Sequence, residues 1–281
     1  MSAAAVPMPA VLPDLADPLR PIEIDGLPAR AVPLFCFLHV PKTAGSSVRW
    51  ALNWMFGDHA RFFRTAEEVA PTEANLAGWR DPSFYNRHLL IGGHVQRSHP
   101  IMSPEPPPRR MVYLALFRDP VRRAVSWYDF ARRYEGHPLQ DELRDRSLLQ
   151  AVTLPGQFRD RLPDEQMRYA FGTGDPPEAA RRLRAGSYIV APTDRLDGFL
   201  DALSAVSGLA RPPRVPRRNE AGALDAVPVP LAREQPDYEA ALEAIGELCR
   251  AETAFLREHV PDVVVTTSLT PVRGPGMGER R

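Results

Sequence analysis

Lysine is nearly missing from this sequence. Of its 35 lysine and arginine residues, 34 are arginine, and the one lysine is Lys42. A chain that uses arginine wherever positive charge suffices, yet keeps one lysine, points to a need for a compact ammonium on a flexible stem rather than a rigid planar fork. Cysteine is scarce as well. Cys36 and Cys249 both fall on apolar faces, so they read as small core residues, and two cysteines supply neither a disulfide framework nor metal-ligand spacing. Net charge is zero, which gives no global attraction to nucleic acid or an anionic membrane and makes any anion site a local one. No apolar run approaches the ~20 residues that span a bilayer. The first twenty residues carry Asp14 and Asp17 among prolines, unlike a signal or transit peptide. These absences lead to the expectation of a soluble cytoplasmic protein with no integral membrane segment and no nucleic-acid partner.

What is present is organised around residues 34–56, LFCFLHVPKTAGSSVRWALNWMF. Leu34 to Val40 reads as a buried strand, and Pro41 ends it because proline has no amide hydrogen to donate. Lys42, Thr43, Ala44 and Gly45 form a tight turn. Ser46 and Ser47 are expected to cap a helix whose apolar spacing is Val48, Leu52, Met55 and Phe56. A strand, a turn and a helix N-terminus together make an anion cradle: backbone amides and the helix dipole face the ligand, and Lys42 adds a mobile full charge.

The chain divides into a proline-rich arm (1–33, seven prolines), a domain (34–260) and a tail (261–281) expected to fray. Further strands are expected at 61–64, 88–94, 111–117 and 187–191. Helices are expected from Pro120 to about Tyr134 with Asp119 as N-cap, and over 141–152, 164–171, 178–185, 194–206 and 236–259. The weak pattern over 66–79 is interrupted by Pro71. Residues 98–109, with five prolines, read as a surface loop. Strands alternating with helices imply an α/β domain with a central parallel sheet flanked by helices, its ligand at the carboxyl ends of the strands. Three marked strand ends (His39 to Lys42, His94 and Arg118) are then expected to open into one crevice.

The lysine precedes the only glycine of its turn, and no Gly-Lys dipeptide occurs anywhere, unlike the GxxxxGK[ST] loop of nucleotide triphosphatases. The strongest strand ends in Arg118, where such an enzyme wants a carboxylate for magnesium. The two stretches HVPKTAGSS and FRDPVRRAVSWY instead resemble the 5′-phosphosulfate loop and the 3′-phosphate motif of sulfotransferases that use 3′-phosphoadenosine 5′-phosphosulfate (PAPS). The closest likeness is to the carbohydrate branch that includes heparan sulfate 2-O-sulfotransferase. Weaker likeness continues through DEQMRYAFG, VAPTDRLDGFLDAL and RRNE. The resemblance implies a P-loop-like sulfotransferase fold, PAPS as donor, adenosine 3′,5′-bisphosphate (PAP) as product and no metal. It implies that Lys42, Thr43, Ala44, Gly45, Ser46 and Ser47 hold the phosphosulfate and that Arg118 and Ser126 hold the 3′-phosphate. Arg217 and Arg218 would contact the 3′-phosphate or the acceptor, which would be a glycan or other hydroxyl-bearing small molecule.

An acceptor hydroxyl needs a general base, and histidine suits neutral pH. Of seven histidines His94 is favoured, at a strand end after Gly92 and Gly93 where backbone can approach ligand. The relatives carry His-Gly-His at this place; here the first histidine is replaced by Gly92 and the second is kept. His39, immediately before the cradle, is expected to shape the loop. Arg168 could face an anionic glycan, and the 181–184 run RRLR reads as solvated charge. Two other readings of the same cradle are a nucleotide-dependent kinase and a nucleotide-binding protein of the same fold without turnover.

Overall fold

The computed structural model describes residues 23–24, 27–28, 32–216 and 229–267. A two-residue hairpin, β1 (Glu23–Ile24) and β2 (Leu27–Pro28), precedes the domain. The sheet is then built from β3 (Leu34–Leu38), β4 (Ala60–Phe63), β5 (Leu90–Gly93), β6 (Met111–Phe117), β7 (Tyr188–Pro192) and β8 (Val264–Val265). Its spatial order is β4-β5-β3-β6-β7-β8, parallel throughout except for β8. The tail expected to fray from Pro261 thus contributes an edge strand, with Val264 and Val265 paired to Val190 and Ile189.

Among the described residues the helices are α1 (Gly45–Phe56), α2 (Ala66–Val69), α3 (Glu73–Arg80), α4 (Pro82–Asn86), α5 (Pro120–Arg133), α6 (Gln140–Leu143), α7 (Leu148–Thr153), α8 (Gln157–Arg161), α9 (Glu165–Phe171), α10 (Pro176–Ala185), α11 (Leu196–Ser207), α12 (Tyr238–Leu248) and α13 (Arg250–His259). Two expected helices are each split. The 141–152 segment breaks because Ser147 starts α7 with a capping box to Gln150. The last helix breaks at Cys249, whose backbone leaves the helical region (φ −96°, ψ 10°). The proline-rich 98–109 segment is less superficial than expected, since Ile101, Met102 and Arg109 are buried.

The strands obey period two on two covered faces. Phe35 and Phe37 of β3, with Leu114 and Leu116 of β6, pack against α1 and α11. Leu34, Cys36 and Leu38 point the other way, toward α9, α10 and α13. A third cluster, from α5 through α8 together with α12, buries Trp127, Tyr128, Phe158 and Cys249 beside the sheet. Both cysteines are free thiols in these cores, and burial pushes each up to about 12.

The connections fix where a ligand can sit. From β3 the chain passes through α1 to β4 and returns to β5 on one side of β3; from β6 it passes to β7 on the other. Loops leaving β3 and β6 therefore diverge, opening a crevice at the carboxyl ends of these strands, the topological switch point of an open α/β sheet.

Candidate functional site at the carboxyl edge of the sheet

The cradle loop occupies that switch point. The His39 amide donates to the Gly93 carbonyl at 2.9 Å, tying the exit of β3 to the end of β5. The loop then turns through two non-glycine residues in the left-handed region, Lys42 (φ 68°) and Ala44 (φ 61°). Such backbone costs on the order of 1–3 kcal/mol per residue and persists where surrounding structure imposes it. Thr43 imposes part of it, since its buried Oγ1 donates to the Val40 carbonyl at 2.9 Å.

Helix α1 begins at Gly45, with Ala44 as a cap residue that supplies no side-chain hydrogen bond. Ser46 and Ser47 are therefore first-turn residues rather than the expected caps, because the left-handed Ala44 takes the cap position. Ser47 Oγ donates instead to the Pro216 carbonyl at 3.0 Å, bringing the segment that follows α11 against the cradle. Arg217 and Arg218, next in the chain, lie outside the described residues.

Gly45 is required by packing. A Cβ there would stand 1.4 Å from His39 Nε2, so the glycine opens the space that the imidazole fills. His39 is half-buried and sits in a stack, Phe37 below at 5.4 Å and His94 above at 3.9 Å between ring centroids. Burial above all, then the charges of His94, Arg49 and Lys42, hold its pKa well below the ordinary histidine range. The shift favours the neutral imidazole, which packs against Gly45 of the loop.

His94 is exposed, and its Nδ1 lies 3.0 Å from the His39 carbonyl oxygen. A carbonyl only accepts, so Nδ1 carries the proton and Nε2 is the basic nitrogen of the neutral ring. Gly93 supplies the backbone that makes this possible: at φ 153° its missing Cβ avoids the Phe63 carbonyl, 2.8 Å away. His94 opens on a cleft of about 350 Å³, lined also by His39, Ser46, Arg49, Trp50, Phe62 and Arg64. Its walls are cationic and aromatic, and its lining holds no carboxylate.

On the other side of the loop, Arg118 leaves the end of β6 and its Nη1 donates to the Lys42 carbonyl at 3.4 Å. Burial, followed by the charge of Arg122, lowers its pKa from the usual arginine value. Asp119 caps α5, accepting from the Arg122 amide at 2.8 Å, with Pro120 in the first turn as expected. Ser126 lies two turns into α5, one turn before Phe130 on the same face, and the Lys42 ammonium sits 4.1 Å from the centroid of the Phe130 ring. The residues divide by side: His39 and His94 line the cleft, whereas Arg118 lies outside that lining on the Lys42 carbonyl and the Lys42 ammonium rests on Phe130 of α5.

Several residues here escape sequence reasoning. Gln166 of α9 pairs with the backbone of Arg118 in both directions, and Glu252 of α13 holds Gln166. Arg123 and Glu165 form a buried ion pair beneath them. Phe130, Arg49 and Arg64 carry no motif signal. Arg168 is engaged with Asp164 at 2.8 Å, so its charge is already answered locally, and Arg181 and Arg182 pair with Glu178. Among the described residues no cluster of His, Cys, Asp or Glu is placed to hold a metal ion, and no helix is long and apolar enough to cross a membrane.

No protein-family model matches the chain, and no curated protein matches it. Fold and site together define an α/β protein with a six-stranded, mostly parallel sheet. It carries a lysine loop, an arginine and a histidine on three adjacent strand ends.

Proposed function

We propose that the protein transfers the sulfuryl group of PAPS to a hydroxyl of an acceptor, a carbohydrate or glycan, on a P-loop-like sulfotransferase fold. The observation that carries this reading is the adjacency of three strand ends. Arg118 is hydrogen-bonded to the backbone of the loop bearing the only lysine, and His94 is hydrogen-bonded to the same loop from the opposite side.

In this reading the nucleotide spans the switch point. The left-handed loop and the uncapped start of α1 receive the 5′-phosphosulfate, and Arg118 with Ser126 receives the 3′-phosphate. The acceptor enters the cleft beside His94, where Trp50 and Phe62 offer faces for a sugar ring. His94 Nε2 takes the proton of the attacking hydroxyl as its oxygen bonds to sulfur. The bond from sulfur to the phosphate oxygen breaks, and the electron pair stays on PAP. Sulfuryl transfer runs through a loose in-line displacement like phosphoryl transfer, so positioning and charge stabilisation supply the catalysis. Lys42 exchanges the Phe130 ring for the leaving oxygen as charge grows there, a movement its four-carbon stem allows.

The experiment is incubation with sulfate-labelled PAPS and a panel of hydroxylated carbohydrates without added metal. Acceptor-dependent release of PAP with label on the acceptor is the expected result. Binding of PAP with no transfer to any acceptor supports the non-catalytic alternative.

A further inference from the structure

Gln166 and Glu252 have no exposed surface, and their polar atoms are arranged with a direction. The Arg118 amide donates to Gln166 Oε1 at 2.9 Å, and Gln166 Nε2 returns a bond to the Arg118 carbonyl at 2.9 Å. The second Nε2 hydrogen goes to Glu252 Oε2 at 3.0 Å. Glu252 Oε1 accepts from the amides of Gln166 and Met167, at 2.8 and 3.2 Å. Both N–H donors of the Gln166 side-chain amide are thereby used, and its oxygen accepts one bond.

An amide side chain can be flipped with almost no change of shape, so something must choose its orientation. An ionised carboxylate only accepts, so Glu252 compels Gln166 to turn its NH₂ inward and its oxygen toward the Arg118 amide. With the amide reversed, donor would face donor and acceptor would face acceptor along the Arg118 peptide. That peptide is the hinge between β6 and the capped start of α5, from which the Arg118 guanidinium reaches the cradle loop. Burying a carboxylate here is costly: burial pushes Glu252 up to about 7, against the pull of Arg123 and the three N–H donors.

We propose that Glu252, acting through Gln166, is a positioning residue that sets the Arg118 backbone so its guanidinium meets the 3′-phosphate, making the pair a determinant of selectivity for 3′-phosphorylated nucleotides. The inference rests on the donor reading given above.

The test compares dissociation constants for PAP and for adenosine 5′-monophosphate, which lacks the 3′-phosphate, at pH 8. Wild type, Glu252→Gln, Arg118→Ala and the double variant are measured. Glu252→Gln sets a donor against Gln166 Nε2 and is expected to weaken PAP roughly 10- to 100-fold, the scale of one mispaired buried hydrogen bond. The monophosphate constant is expected to change less than about twofold, and the double variant to lose little more PAP affinity than Arg118→Ala alone. Equal weakening of both nucleotides, no weakening of either, or additive losses in the double variant would overturn the positioning role. If Glu252→Gln does not fold, Gln166→Met, which keeps volume and removes the directional amide, is read by the same criteria. A wild type that binds PAP no better than the monophosphate would bring down the donor reading, and the positioning role with it.

Discussion

The His94 ring donates through Nδ1 to the His39 carbonyl at 3.0 Å while stacking on the His39 imidazole at 3.9 Å. One residue thereby sets both the tautomer and the plane of the other. The partner imidazole comes from the neighbouring strand end rather than from the strand that carries His94.

His94→Ala is accordingly expected to lower turnover by roughly two to four orders of magnitude, the usual contribution of a positioned general base. PAP affinity is expected to change little, because Arg118 bonds the Lys42 carbonyl and does not line the cleft beside His94. Steady-state kinetics beside a PAP titration separates the two quantities. Weakened PAP binding would make His94 a structural residue instead.

Lys42→Ala is expected to reduce turnover by roughly 10²- to 10³-fold or more, as removal of one preorganised stabilising group does elsewhere. Lys42→Arg is expected to fall well short of wild type despite equal charge, since a planar fork cannot both sit on Phe130 and follow the leaving oxygen. Single-turnover rates check both. Wild-type rates in Lys42→Arg would undo the significance attached to the solitary lysine.

Gly45→Ala places a methyl group where the His39 imidazole lies. The ring must move, taking the His94 stack with it, and overpacking of this kind costs about 1–3 kcal/mol. Chemical denaturation is expected to show the loss, and His39→Ala combined with Gly45→Ala is expected to restore much of the stability without restoring activity. Undiminished stability in Gly45→Ala would mean that the imidazole does not hold this position.

Glu252 gives a dependence of stability on pH with a definite sign. Its carboxyl lies at about 7 folded against 4.5 in the ordinary range, so between these values the native chain holds a proton that the unfolded chain releases. Stability from this group is therefore full below about pH 4.5 and lost as pH rises to about 7, a change on the order of 3 kcal/mol. Urea midpoints of wild type at pH 5 and pH 8, compared with those of Glu252→Gln, isolate the contribution. The variant is expected to lack this decline; parallel pH dependences would show that Glu252 does not titrate in this window.

Much of this arrangement is legible in the sequence because its causes are local. Met111 to Phe117 is apolar without interruption and forms the fully buried β6, and Asp119 and Pro120 start α5 where capping chemistry puts them. Parallel topology alone makes the strand ends of His39, His94 and Arg118 neighbours, but the expected single crevice is divided: the two histidines line the cleft and Arg118 does not. Legibility ends where a contact spans distant segments. Gln166 and the Arg118 peptide are 48 residues apart, Glu252 and Gln166 are 86, and no periodicity reports either pairing. One signal was present: Glu252 interrupts the apolar stripe of Ile245, Cys249, Phe255 and Leu256, and a carboxylate on a core-facing stripe implies buried partners. The helix break at Cys249 and the edge strand at Val264 and Val265 were masked by continuous helical spacing and by neighbouring prolines.

Binding of a 3′,5′-bisphosphorylated adenosine in the crevice between β3 and β6, as proposed above, is measured by thermal denaturation with PAP or ATP, each with and without magnesium. PAP is expected to raise the melting temperature without magnesium, ATP to do so poorly, and Arg118→Ala to abolish the PAP effect. A rise with magnesium–ATP but none with PAP would contradict it and would favour a kinase.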